Sequence, residues 1–154
     1  MEHETIERFV EIDATPETVF EVITKPEHVR QWWPDDADFD PTPGATGHLV
    51  FGDPSSPDAQ VPQITIVAAE APRLFSFRWV YPEGEVAGPD NSLLVTFELT
   101  PRGSGTVLRM YETGFADKGW EQDVVEAEYR DHCSGWDHFL PQLVDYAPTV
   151  GASA

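Results

Sequence analysis

The chain has 154 residues, enough for one domain with a buried core, and its 40% apolar and 12% aromatic content is suited to filling one. It carries 28 acidic against 9 basic residues, a net charge of −19, which excludes charge-driven binding to nucleic acid or to an anionic membrane. One cysteine, Cys133, rules out an internal disulfide, and no apolar run approaches the ~18 residues of a membrane span.

Met1-Glu2-His3-Glu4 is acidic and lacks the apolar stretch of a signal peptide. The expectation is a cytoplasmic protein with no membrane insertion. Residues 1–154 form a single domain, its core over 5–147 and a loose tail over 148–154. The acidic excess reads as a solubilising surface rather than a face for a basic partner.

Ile6 to Ile12 is the first strand, with Ile6, Val10 and Ile12 on one face; Arg8 shares their parity and Phe9 interrupts the pattern. A helix follows, with Thr15 as cap, Pro16 at the first helical position and Glu17 against the dipole. Val19, Phe20, Val22 and Ile23 give it a buried side. Pro26 restarts the chain into a second short helix edged by Val29, Trp32 and Trp33, which Pro34 closes. Asp35 to Gly47 reads as a loop.

Strands follow at Gly47–Phe51, Gln63–Ala69, Leu74–Tyr81, Leu93–Thr100 and Thr106–Glu112, separated by turns rich in Pro and Gly. Phe75, Phe77, Trp79 and Tyr81 share one face. Val95, Phe97 and Leu99 point inward, with Thr96, Glu98 and Thr100 outward. In the last strand Leu108 and Met110 lie opposite Val107, Arg109 and Tyr111. Arg78 and Arg109 take the outward parity and read as ion-paired surface positions.

Asp123 to Ala147 is a long helix. Val125, Tyr129, His132, Trp136, Leu140, Leu143 and Ala147 recur at three- and four-residue spacing along one face. Its 25 residues span roughly 37 Å. Pro141 inside it predicts a kink, or a helix that ends and restarts. The element order gives an α+β fold: about six antiparallel strands, two short helices after the first, and the long helix on the apolar face.

Thr15-Pro16-Glu17-Thr18-Val19-Phe20-Glu21-Val22-Ile23-Thr24-Lys25-Pro26-Glu27 followed by Trp32-Trp33 resembles the opening of the SRPBCC (START/Bet v 1-like) superfamily. More narrowly it is similar to the branch named after the activator of Hsp90 ATPase homologue 1. Gly135-Trp136-Asp137-His138-Phe139-Leu140, then Leu143 and Tyr146, resembles that branch's closing helix. The resemblance implies a helix-grip fold, a strongly bent antiparallel sheet around the C-terminal helix with a hydrophobic cavity between. Lys25 departs from the acidic residue the family often has before Pro-Glu.

On that fold the candidate ligand-binding residues are Trp33, Phe51, Phe77, Trp79, Tyr81, Phe97 and Met110 on the sheet side. Tyr129, His132, Cys133 and Trp136 are the candidates on the helix. The same four helix residues also read as plain core, with the hydroxyl and imidazole bonded to backbone. Cys133 reads as a bland thiol. Trp32 and Trp33 read as core and junction cover, or as a lid. No catalytic residues, metal ligands or cofactor are expected. His132 and His138 lie about 120° apart on the helix, and no phosphate loop, zinc motif or nucleophile elbow occurs.

Three functions fit. The first is binding of a small hydrophobic or aromatic molecule without chemistry, which calls for an apolar cavity with one or two polar groups. The second is a polyketide cyclase or aromatase, which calls for a larger cavity and a proton-transfer pair. The third is an Hsp90-activator-like interaction module, with a filled interior and a contiguous exposed patch. The expected partner is the small ligand; a homodimer is left open.

Overall fold

The computed structural model describes residues 5–33, 36–52, 63–80, 92–114 and 122–152. Pro34, Tyr81, most of the Gly52–Ala59 turn and the Pro82–Asn91 loop lie outside them. The chain opens with β1 (Thr5–Ile12), then α1 (Pro16–Thr24) and α2 (Pro26–Trp32). Thr15 caps α1 as expected, its hydroxyl accepting from the Thr18 N–H at 3.3 Å, with Pro16 in the first turn. Pro26 opens α2 directly after the Lys25 junction. The Trp32 indole N–H donates to the Val22 carbonyl at 3.0 Å, tying the two helices into one corner.

The sheet has seven strands rather than about six. The additional one, β2 (Asp36–Asp38), lies in the segment expected as a loop and pairs with β3 (Thr46–Val50). Gly47 lets β3 pass close over this pairing: a Cβ there would fall 2.5 Å from the Phe39 Cβ and clash with the Asp38 carbonyl. Then come β4 (Gln63–Glu70), β5 (Leu74–Val80), β6 (Ser92–Arg102) and β7 (Gly105–Thr113). The spatial order is β1-β7-β6-β5-β4-β3-β2, antiparallel throughout, with a register shift in β4 between Ile66 and Ala68.

The inward parities hold. Phe75, Phe77, Trp79, Val95, Phe97, Leu99, Leu108 and Met110 are all buried. On the outer face Arg109 bridges Glu7 and Glu98 at 2.7 and 3.0 Å, as its parity predicts. Thr96, expected outward, is buried by a cross-strand hydroxyl contact with Ser76 at 3.1 Å.

The last element, α3 (Gln122–Ala152), is a helix of 31 residues. It runs on through Pro141, so it does not end and restart there. It also continues past Pro148, where a loose tail was expected. Pro141 is exposed, so the carbonyl it leaves without a helical donor is placed on the water side. Trp136, Leu140, Leu143 and Ala147 form its buried seam. Contacts reach from β1, through an Arg8–Asp137 ion pair at 2.7 Å, to Phe51 just past β3, whose ring lies 6.3 Å from Phe139. The sheet therefore holds the helix from its β1 edge across to the end of β3, the helix-grip arrangement.

Candidate functional site

The alternation that buries Leu108 and Met110 in β7 carries on to Glu112, and this carboxylate is 0% exposed. A carboxylate survives there only if its oxygens are paired. Three donors meet it. Trp79 on β5 donates its indole N–H to Oε2 at 2.7 Å, and Trp136 on α3 donates to Oε1 at 2.9 Å. His132, one helical turn before Trp136, places Nδ1 2.9 Å from both oxygens. One side chain thus joins two strands to the middle of the long helix.

His132 is itself only 6% exposed. Burial pushes its pKa down, but attraction to the Glu112 carboxylate and hydrogen bonds to Glu112 and Glu128 outweigh this and raise it to about 10. His132 is therefore an imidazolium at neutral pH. Its Nε2 lies 3.6 Å from Glu128, whose own pKa is lowered, chiefly by the hydrogen bond to His132 and against the effect of burial. The cation sits between a buried and a half-exposed carboxylate.

Beside this polar centre lies a cavity of about 350 Å³. Trp33, Phe51, Trp79, Trp136 and Phe139 form its apolar walls. His132 and Gly135 complete the lining, and the exposed Asp131, Ser134 and His138 make its rim. Trp33 is the hub of the aromatic wall, its ring 5.0 Å from Trp136, 5.3 Å from Trp79 and 6.0 Å from Phe51.

Of the residues singled out in the sequence, Trp33, Phe51, Trp79, His132 and Trp136 are brought together around the cavity. Phe77, Phe97 and Met110 sit in the buried core. There Phe77 contacts Trp33 at 5.6 Å and Phe97 contacts Trp136 at 6.0 Å, so the deep interior at this point is filled by rings. Tyr129 points to the β1 edge, where its hydroxyl donates to the Thr5 carbonyl at 3.1 Å. Cys133 is half-buried and packs against the core. Tyr81 lies outside the described residues.

Glu112, Glu128, Asp131, Ser134, Gly135, His138 and Phe139 are the site residues that the sequence reading did not put forward as ligand-binding. Glu112 carried a readable signal, an acid on the inward parity of a strand. The oxygen and nitrogen atoms of Glu128, Asp131 and His132 lie within 4.8 Å of one another.

The fold and this interior define a helix-grip α+β domain. The model of the "Activator of Hsp90 ATPase homolog 1-like protein" family matches residues 13–147, and the chain belongs to that family. Among solved structures it is similar to a Mesorhizobium loti protein at 25% identity, covering 92% of this chain and 94% of that one with a TM-score of 0.73. A Nitrosomonas europaea protein is 17% identical over 97% of both chains, with a TM-score of 0.76. The Aha1 dimer of Colwellia psychrerythraea is 18% identical over 92% of this chain and 93% of that one, with a TM-score of 0.67. A comparison with curated proteins finds no match. Among the described residues, no helix is long and apolar enough to cross a membrane.

Proposed function

We propose that the chain binds a small hydrophobic or aromatic molecule in the cavity between Trp33, Phe51, Trp79, Trp136 and Phe139. The observation that supports this is the aromatic wall of a 350 Å³ cavity standing beside a polar centre whose hydrogen bonds are met within the protein. Such a wall favours flat apolar surface, and ligand pockets commonly have volumes of this order, about 300–1,000 Å³. Its placement at the rim of the filled core makes it a cleft for part of a ligand rather than a tunnel through the fold.

The other two readings have less behind them. A cyclase needs a proton-transfer group free to meet the substrate, whereas both ring nitrogens of His132 face carboxylates, Glu112 at 2.9 Å and Glu128 at 3.6 Å. An interaction module needs a contiguous apolar patch. Among the described residues the exposed large hydrophobics are Phe9 and Val67, on separate strands.

A thermal-shift screen against aromatic polyketides, flavonoids, fatty acids and sterols tests the proposal. A ligand at a hundredfold excess over its Kd adds about 2.7 kcal/mol, which for a chain of this size is a rise of roughly 5–11 °C. Phe139→Ala is the control, because Phe139 is only half-buried while Trp136 belongs to the core. A rise for one class that disappears in Phe139→Ala supports the reading; no rise for any class refutes it.

A further inference from the structure

The charge around the cavity points to a particular class of ligand. Three carboxylates, Glu112, Glu128 and Asp131, surround the single imidazolium of His132. Glu112 and Glu128 already exceed that cation by one negative charge, and Asp131 on the rim adds a second. Among the described residues no lysine or arginine lines the cavity, and the chain as a whole carries −19. An anionic ligand would meet two surplus negative charges and a long-range repulsive field. A cation is drawn in by the same field and can lie against the electron-rich faces of tryptophan and phenylalanine rings.

We infer, resting on the proposed binding reading, that the cavity takes an aromatic amine or ammonium compound. Its ring lies along Trp33, Phe51, Trp79 and Phe139, and its cationic head faces Asp131 and Glu128. The helix supplies both halves of the site. Glu128, Asp131 and His132 lie at successive three- and one-residue steps, and Gly135 and Phe139 follow on the same side, so Asp131 sits about two turns from Phe139 and Glu128 about three. His132 orders the acidic end rather than receiving the ligand, since both flanks of its ring face carboxylates.

Three probes that share one ring system separate charge from shape: 2-naphthylmethylamine in its protonated form, 2-naphthylmethanol and 2-naphthoate, each titrated calorimetrically into the full chain at pH 7. The amine is expected to bind with a stoichiometry of one, at least tenfold tighter than the alcohol, with naphthoate weakest. Raising salt from low to physiological and above should erode the amine's advantage, because its rim is exposed. Asp131→Asn and Glu128→Gln, both at solvent-accessible helix positions, should each reduce that advantage several-fold while circular dichroism stays that of the parent chain.

An alcohol or naphthoate that binds as tightly as the amine overturns the charge inference and leaves the cavity reading standing. Amine binding that survives Phe139→Ala, or that ignores both carboxylate substitutions, is general attraction to an acidic surface and also overturns it. If none of the three probes binds, while the broader screen finds no ligand either, the cavity reading itself falls.

Discussion

Replacing Glu112 by glutamine is the sharpest perturbation available, because it changes almost no volume. Glu112 receives Trp79 at 2.7 Å, Trp136 at 2.9 Å and His132 at 2.9 Å on its two oxygens. Glutamine keeps one oxygen and puts an NH2 in place of the other. That NH2 must then face an indole N–H, donor against donor, and His132 loses its counter-charge. Breaking a buried ion pair by removing one partner costs about 3–5 kcal/mol. Independently, holding the His132 pKa at about 10 rather than 6.5 corresponds to roughly 5 kcal/mol in favour of the charged form. Both figures describe the same interaction, so they are not added. Against a total stability of about 5–15 kcal/mol for a domain of this kind, the loss is a fifth or more. Urea unfolding at pH 7 measures it by linear extrapolation, provided the slope is unchanged. NMR titration of His132 in the same variant should find it near or below its ordinary 6.5. A stability loss under about 1 kcal/mol, with His132 still titrating near 10, would refute the account of Glu112 as the paired, buried charge of the fold.

Stability should also fall with rising pH. The folded pKa of His132 lies above its unfolded value, so its contribution is fully present below about 6.5 and disappears as pH rises to about 10. The fall in urea midpoint over that window should be smaller in His132→Gln, and equal falls would show that other groups cause it. Glu128, with a lowered pKa, acts in the opposite sense, contributing above its ordinary 4.5 and losing that contribution in acid. Trp79→Phe keeps a ring but removes the 2.7 Å donor, and should cost about 1.5–3 kcal/mol; a loss below about 0.5 kcal/mol counts against a three-donor centre. Gly47→Ala drives a methyl into the backbone of β2 and should destabilise by about 1–3 kcal/mol, with hydrogen exchange accelerated first in the β2–β3 pair.

Much of the architecture is legible along the chain because its signals are local. Thr15-Pro16 starts a helix wherever the chain goes next, and Phe75, Phe77 and Trp79 share a face in any strand. The seam of α3 was readable for the same reason, and Pro141, on an exposed face, does not end the helix. The candidate site was half legible. Trp79, His132 and Trp136 each stood out as aromatic or polar-tipped, but their common partner is fixed by how β5 and β7 are placed across β6. That is a non-local fact about register: Phe97 pairs with Met110 on one side and Phe75 on the other. Glu112 stands at the end of the strand read from the sequence, Thr106–Glu112, but the inward parity was followed only through Leu108 and Met110. The stricter question, what an acid is doing on the inward parity, would have found it. The direction of Tyr129 was not readable, since a half-buried seam position faces either the cavity or the β1 edge according to the helix's rotation.

The position of β1 has a consequence for how the molecule is made. It is the first strand in the chain, yet it pairs along its whole length with β7, Thr5 opposite Thr113 and Ile12 opposite Thr106. On a ribosome it leaves the exit tunnel while its partner is still unwritten. At about 5–20 residues per second, the roughly hundred residues between them, whose closure also costs entropy, keep β1 waiting on the order of 5–20 s. During that wait, the apolar side of an unpaired strand carrying Ile6, Val10 and Ile12 is open to whatever is nearby, including the nascent chain of a neighbouring ribosome. Glu7, Glu11 and Arg8 interrupt that stretch with charge, and in the finished molecule they become ion-pair partners of Arg109, Arg102 and Asp137. β1 is synthesised well before β7, and it is secured only when β7 exists.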